Sequence, residues 1–224
     1  MPRFLEVVPN MAAAANPHRV SSHERIMGDF SAMLKTCEMT AICGRTFLRV
    51  EKLKDWLDKN AETLLWAVYM PEDHINLPIS PRQVRRSDTY ALLVFSILLE
   101  LGHGNLIDTF HHVHLVDRLP IDLATLESRL KRSKLSEADA LNLADNFDQI
   151  QWRYCPPKFR LEHREDYRPT EIVPIFKKEA INTKGGTATV WQIVVLEEFV
   201  EKDLRDAVPT SKFNTTDDHY GWVS

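Results

Sequence analysis

Two adjacent glycines, Gly185 and Gly186, stand between two segments that read as β-strands, "EIVPIFKKEAI" and "TATVWQIVVLEEFV". The second segment is rich in β-branched and aromatic residues, so the pair predicts a β-hairpin with the glycines at its tip. A tip without Cβ atoms lets backbone N–H groups approach phosphate oxygens. A plain tight turn between two strands uses the same residues. The glycines alone leave both interpretations open.

The nucleotide-loop pattern GxGxxGxV is only partly present in this segment. When its valine is placed on Val190, its three glycine positions fall on Thr183, Gly185 and Ala188. One glycine is therefore kept and another is replaced by a small residue. Spacing by itself favours a plain Gly-Gly turn.

The second candidate for chemistry is a histidine cluster, His111, His112 and His114, with Asp108 and Asp117 nearby. Asp108 and His112 are four residues apart, so on a helix they would share one face and could form a metal pair. Neither an HExxH nor a CxxC motif accompanies them, and adjacent histidines on a short helix are usually solvated. We predict no metal site here.

Composition and charge exclude several other classes of function. The chain has 28 basic and 32 acidic residues and a formal charge of −4, so it has no global basic field for nucleic acid or an anionic membrane. The basic run "SRLKRSK" has no interleaved aromatic residue and reads as a solvated helix end. Three cysteines without CxxC spacing support neither a disulfide framework nor a zinc knuckle. We expect an intracellular protein, cytoplasmic or nuclear, without nucleic-acid or membrane partners.

Helical spacing dominates the chain from residue 22 to about residue 150. Phe30, Phe47 and Val50 belong to a pattern that predicts two or three helices between residues 22 and 70. The apolar run "YALLVFSILLELG" is too short for a bilayer and predicts a buried helix over 88–101, capped by Ser87 and stopped at "GHG". Three more amphipathic helices are predicted in "NLIDTFHHVHLVD", "LPIDLATLESRLKRS" and "SEADALNLADNFDQIQW".

The character of the sequence changes at "QWRYCPPKF", where prolines and aromatics replace the helical period. We therefore predict an α+β fold, mainly α, in which a helical N-terminal domain precedes a small antiparallel β-hairpin segment. The predicted parts are a flexible arm (1–21), a helical domain (22–150), a junction (151–170) and an incomplete β segment with a polar loop-like tail (171–224). We expect a junction sealed by Trp152, Tyr154 and Phe159, and a hairpin packed onto the helices by Pro174, Phe176 and Trp191.

Whole segments of this sequence resemble a family of fungal protein-kinase-like proteins, in which a helical N-terminal region leads into a kinase domain. The resemblance is carried by "QWRYCPPKF" and "IVPIFKKEAINTKGGTATVWQIVVLEEFV", and it includes "LLWAVYMPEDHINLPISP" and "VFSILLELGHGNLIDTF". It covers roughly Phe30 to the end of the sequence. It implies that the predicted hairpin is the first, glycine-rich hairpin of a kinase N-lobe.

The resemblance also implies roles for individual residues and a cofactor. The nucleotide loop would be formed by Gly185, Gly186, Thr187 and Ala188; Val190 would pack over the adenine ring, and Ile181 would open the loop on the other strand. A longer relative would bind ATP with Mg²⁺ and phosphorylate serine or threonine. The partner of the helical region would then be the remaining kinase domain or another protein.

Several elements of an active kinase do not occur in this sequence. No segment resembles the V-A-I-K strand, since Lys202 and Lys212 lie outside apolar runs, and neither H-R-D nor D-F-G is present. We therefore expect this chain alone to transfer no phosphate and to bind no ATP tightly. The alternative interpretation is a non-catalytic helical protein-interaction module in which the hairpin merely closes the helical domain.

Overall fold

The computed structural model of this protein describes residues 17–69, 76–86, 88–161, 167–180, 191–207 and 220–223. The fold is α+β and mainly α, as predicted. The helices are α1 (Pro17–Cys37), α2 (Val50–Tyr69), α3 (Pro81–Val84), α4 (Ala91–Glu100), α5 (Ile107–His112), α6 (Leu123–Leu130), α7 (Glu137–Tyr154) and α8 (Lys202–Ala207). The strands are β1 (Glu38–Thr40), β2 (Thr46–Leu48), β3 (Lys177–Ala180), β4 (Trp191–Leu196) and β5 (Tyr220–Val223), and short 3₁₀ turns span Gly104–Leu106 and Glu197–Phe199.

Helix α4 lies at the centre of the main hydrophobic core. Apolar residues occur on all sides of this helix, and eight of its ten residues are buried. Helices α1, α2, α6 and α7 each contribute buried residues to the same cluster. Nowhere in the described part of the chain is a helix both long and apolar enough to cross a bilayer.

Local capping residues set the ends of several helices. Asp122 accepts a hydrogen bond from the Thr125 N–H at the start of α6, and Ser136 accepts one from the Asp139 N–H at the start of α7. Gly102, with φ of +75°, follows α4 as expected for a left-handed stop. The prediction that Ser87 caps α4 was wrong, because the N-cap is Tyr90, whose N–H is fixed by the Val116 carbonyl at 2.8 Å. Ser87 itself lies outside the described residues.

A short antiparallel hairpin interrupts the region between residues 22 and 70, where only helices were predicted. Strand β1 pairs with β2, and Met39 lies opposite Phe47. Gly44 has φ of +79° in the connecting turn, a conformation that glycine adopts without strain. Phe47 continues the apolar spacing of the following helix, which is why the sequence pattern concealed the strand.

The C-terminal sheet has three antiparallel strands in the order β3-β4-β5. The predicted hairpin of the two flanking segments is confirmed by the pairing of β3 with β4. The tail was predicted to be loop, and this was wrong for residues 220–223, which form β5 on the other edge of β4. Tyr, Trp and Val favour strands, but the polar residues before them hide this short segment from a periodicity argument.

We predict opposite effects of alanine at two glycines. Gly44→Ala is expected to destabilise the protein by about 1 kcal/mol, because alanine is strained at positive φ. Gly28→Ala is expected to stabilise it by roughly 0.5–1 kcal/mol, since Gly28 lies inside α1 and nothing lies within 4 Å of the added Cβ. Urea unfolding followed by circular dichroism measures both, and equal effects of the two substitutions would contradict the prediction.

Candidate functional site

All six residues predicted to form the nucleotide loop lie outside the described residues. These are Ile181, Gly185, Gly186, Thr187, Ala188 and Val190. The structure describes the two strands that they join, and the last residue of β3, Ala180, pairs with the first residue of β4, Trp191. The strands therefore form the base of a hairpin, and the nucleotide interpretation of residues 181–190 stays a prediction.

The three residues expected to pack the hairpin onto the helices differ in their burial and in their contacts. Pro174 is buried. Phe176 contacts Phe47 of strand β2 and so packs on a strand. The expectation for Trp191 was wrong, because its side chain is 43% exposed and lies beneath Lys178, whose Nζ is 4.1 Å from the ring centroid.

The β1–β2 hairpin, residues 38–48, is the surface on which the C-terminal sheet packs. Phe47 is fully buried, and its ring centroid lies 5.7 Å from that of Phe176 and 5.3 Å from that of Phe199. The interplanar angle with Phe199 is 81°, the edge-to-face geometry that aromatic pairs prefer. We call the buried group the docking cluster; its members are Ala41, Phe47, Ile172, Leu196 and Phe199.

Polar contacts surround the docking cluster and come from the same stretch of chain. Arg49 Nε lies 2.8 Å from Glu198 Oε1, and both side chains are less than one quarter exposed. The Ile42 N–H donates to the Ile175 carbonyl at 2.7 Å. Arg45 donates to the three successive carbonyls of residues 169–171. Hydrogen bonds to an ionised donor are stronger than neutral ones, so these contacts fix the orientation of the sheet.

A partly buried polar network holds the hairpin on the helical core. Arg153 of α7 bridges Glu38 of β1 and Glu100 of α4, with N–O distances of 2.5 Å to each. Tyr154 donates to Glu100 at 2.7 Å and accepts from Ser96 at 3.2 Å. Burial and the nearby Glu100 carboxylate raise the pKa of Tyr154, so it remains a hydrogen-bond donor. The hairpin is thus fixed to two helices while Phe47 faces the sheet.

The three aromatic residues expected to seal the junction do not form one cluster. Trp152 packs against the docking cluster, and Tyr154 belongs to the main core. Phe159 packs against a third small cluster within the C-terminal region. It lies beside Val200 in a parallel bridge, in which the Phe159 N–H donates to the Phe199 carbonyl and the Phe159 carbonyl accepts from the Glu201 N–H. The three residues of the junction therefore belong to three different hydrophobic clusters, although they are close together in the sequence.

The histidine cluster does not converge on a common point. His112 Nδ1 lies 2.9 Å from the Asp108 carbonyl oxygen, and the Asp108 carboxylate accepts from Tyr69 at 3.1 Å. Burial and the Asp108 charge raise the pKa of Tyr69, which keeps it a donor. His114 lies apart, 3.5 Å from Asp117. No three metal-ligating side chains come together within the described ranges.

A pocket of about 230 Å³ lies beside His114 and is bordered by Arg118, Thr125 and Arg129. Its charged groups are already paired. Arg118 lies 2.9 Å from Asp122, and Arg129 donates to the carbonyls of Val113 and His114. Arg129 therefore binds the carbonyls at the end of α5.

Comparisons of the chain with protein-family models, curated proteins and solved structures found no match. The candidate site is therefore defined by its own geometry, and the docking cluster forms its buried centre. Sequence reasoning missed Phe47, Arg49 and Glu198 as a group, because they are far apart in the chain. The one local signal was Gly44 in "ICGRTF", which is typical of a hairpin turn.

Proposed function

We propose that this chain is a helical protein-interaction module that binds an antiparallel β-sheet element through its β1–β2 hairpin. The observation that carries the proposal is the position of Phe47, fully buried between Phe176 and Phe199. Aromatic residues in desolvated centres, surrounded by polar contacts, are the usual anchors of protein interfaces. The ion pair between Arg49 and Glu198 and the three carbonyl contacts of Arg45 form such a polar rim.

The separate packing of the helical core and the C-terminal sheet supports this proposal. The main core of helices fixes the hairpin through the Arg153 network. The sheet brings its own small cluster, which is formed by Val195, Val200 and Leu204 with half-buried neighbours. The hairpin is held by the helices, the sheet packs separately, and the two meet at Phe47. This arrangement resembles the interface between two bound proteins.

Cleavage of the connection between the two parts tests the proposal. A protease site inserted after Leu161, whose side chain is 56% exposed, allows the folded chain to be cut. The two pieces are expected to elute together in size-exclusion chromatography. In the Phe47→Ala variant they are expected to separate, whereas Ile42→Ala, an exposed position on the same hairpin, serves as the matched control. Separation of the pieces in the parent chain would contradict the proposal.

A second candidate function rests on the resemblance to fungal protein-kinase-like proteins. In this interpretation the bound sheet element is the first part of a kinase N-lobe, and serine/threonine kinase activity belongs to a longer chain. The pairing of β3 with β4, on either side of the glycine segment, favours it. The third strand, β5, contains Tyr220, Gly221, Trp222 and Val223 and thus has no lysine, the residue that a kinase uses there to contact the phosphates.

We predict that Mg²⁺ and ATP do not raise the melting temperature of this chain. A ligand at free concentration L stabilises a folded protein by RT ln(1 + L/Kd), so a weakly bound ligand adds little, and the lysine contact to the phosphates does not come from β5. Thermal unfolding with and without Mg-ATP is the measurement, and Mg²⁺ alone is the control for ionic effects. A clear ATP-dependent rise would contradict the prediction and favour the nucleotide interpretation of residues 181–190.

A further inference from the structure

We infer that the C-terminal unit, residues 167–180 and 191–207, undocks from the β1–β2 hairpin as a unit while the helical core stays folded. This concerns the reversibility of the contact, which the proposed binding function does not require. It follows from the way in which the apolar residues are divided among separate clusters.

The helical core is complete without the C-terminal unit. Every member of the main cluster, buried or half-buried, lies between Ile26 and Cys155. The C-terminal unit has its own cluster, with Val195, Val200 and Leu204 buried in it. Phe159 of the connecting segment also packs against this cluster, whereas the main cluster contains no described residue of the C-terminal unit. Separation of the unit from the hairpin therefore opens neither cluster.

The contact between the two parts is centred on the β1–β2 hairpin. The buried residues of the docking cluster are Ala41 and Phe47 from the hairpin and three residues from the C-terminal unit, and Trp152 of α7 packs against them. Its polar contacts come from Ile42, Arg45 and Arg49. Proteins open locally along such boundaries, where few buried apolar contacts cross, at a lower free energy than global unfolding requires.

The ion pair at this boundary makes the opening sensitive to charge. The side chains of Arg49 and Glu198 are 24% and 18% exposed, so both regain hydration when the unit leaves, and their attraction is only partly screened while the unit is docked. Loss of the Glu198 charge therefore favours the undocked state. The helical core does not contain this pair and is expected to remain unaffected.

Two introduced thiols distinguish undocking from global unfolding. Ala41→Cys lies in the docking cluster and Ala144→Cys lies in the main core; both alanines are at most 3% exposed, and each substitution adds one sulfur atom. Each is made in a Cys43→Ser background, because Cys43 is exposed. Labelling with a small thiol reagent is followed by mass spectrometry that assigns the labelled site. The thiol at position 41 is expected to react on the order of 100-fold faster than the thiol at position 144, since it becomes accessible by undocking alone.

Charge removal provides the second arm of the experiment. Glu198→Gln is expected to raise the labelling rate at position 41 about 3- to 10-fold and to leave the rate at position 144 unchanged. The control is Glu137→Gln, which removes an exposed partner of Lys131 and is expected to change neither rate. Equal labelling rates at positions 41 and 144 would overturn the inference, because they would show one cooperative unit.

Amide hydrogen exchange keeps the inference testable if a cysteine variant fails to fold. In the unmodified chain, the amides of β4 are expected to exchange faster than those of α4, and Glu198→Gln is expected to accelerate only the β4 amides. Exchange of both elements at one common rate would contradict undocking. This outcome is distinct from failure of the proposed binding function, which the cleaved chain tests.

Discussion

Replacement of Phe47 by alanine is expected to lower the free energy that holds the C-terminal sheet in place by about 3–5 kcal/mol, the usual cost of Phe→Ala at a buried site. Phe47 is fully buried and contacts two other aromatic rings, so its removal leaves a cavity at the centre of the docking cluster. Amide hydrogen exchange of β4 measures the effect residue by residue.

The control for this prediction lies on the same hairpin. Ile42 is 55% exposed, and Ile42→Ala keeps its backbone hydrogen bond to Ile175, so it is expected to change the exchange of β4 by less than about 0.5 kcal/mol. The amides of α4 provide an internal reference, since the main core does not include Phe47. Equal effects of the two substitutions on β4 would show that the buried ring does not hold the sheet.

Replacement of Gln151 by leucine is expected to destabilise the helical core by roughly 2–4 kcal/mol, because each buried backbone group left without a partner costs ~1–3 kcal/mol. Gln151 is fully buried; its Oε1 accepts from the Ile121 N–H and its Nε2 donates to the Ile121 carbonyl, both at 2.8 Å. Leucine has a similar size but makes neither hydrogen bond. Urea unfolding followed by far-ultraviolet circular dichroism measures the loss.

The matched control is Gln149→Leu, two residues earlier in α7. Gln149 is exposed, so this substitution is expected to change stability by no more than about 0.5 kcal/mol. If Gln151→Leu were as mild as Gln149→Leu, the amide hydrogen bonds to the backbone of Ile121 would contribute little to the fold.

The helical half of the fold was predictable because its signals are local. Asp122 and Ser136 cap the helices they precede, and Gly102 ends the central one. A cap acts within three residues, so sequence spacing alone reveals it. The apolar run of α4 is long and continuous, and such a segment predicts a buried helix without knowledge of its neighbours.

The hairpin contact could not be predicted because its partners are distant in the chain. Phe47 fits the helical spacing of its surroundings, and only pairing with β1 and burial against Phe199 make it part of a strand contact. Tertiary contacts of this kind override local propensity. Strand β5 could not be predicted for a similar reason, because it forms by pairing with the edge of β4. For the glycine segment, a hairpin tip with one retained glycine of the nucleotide pattern stays a prediction from the sequence.

A double-mutant cycle between Phe47→Ala and Phe199→Ala tests the central claim, that the hairpin of the helical region holds the C-terminal sheet by direct aromatic contact. The two rings are 5.3 Å apart, and their coupling is expected to be about 1 kcal/mol, read from the exchange of β4 amides in the four proteins. Effects that add to within roughly 0.3 kcal/mol would contradict the claim, because additivity is the behaviour of residues that do not touch.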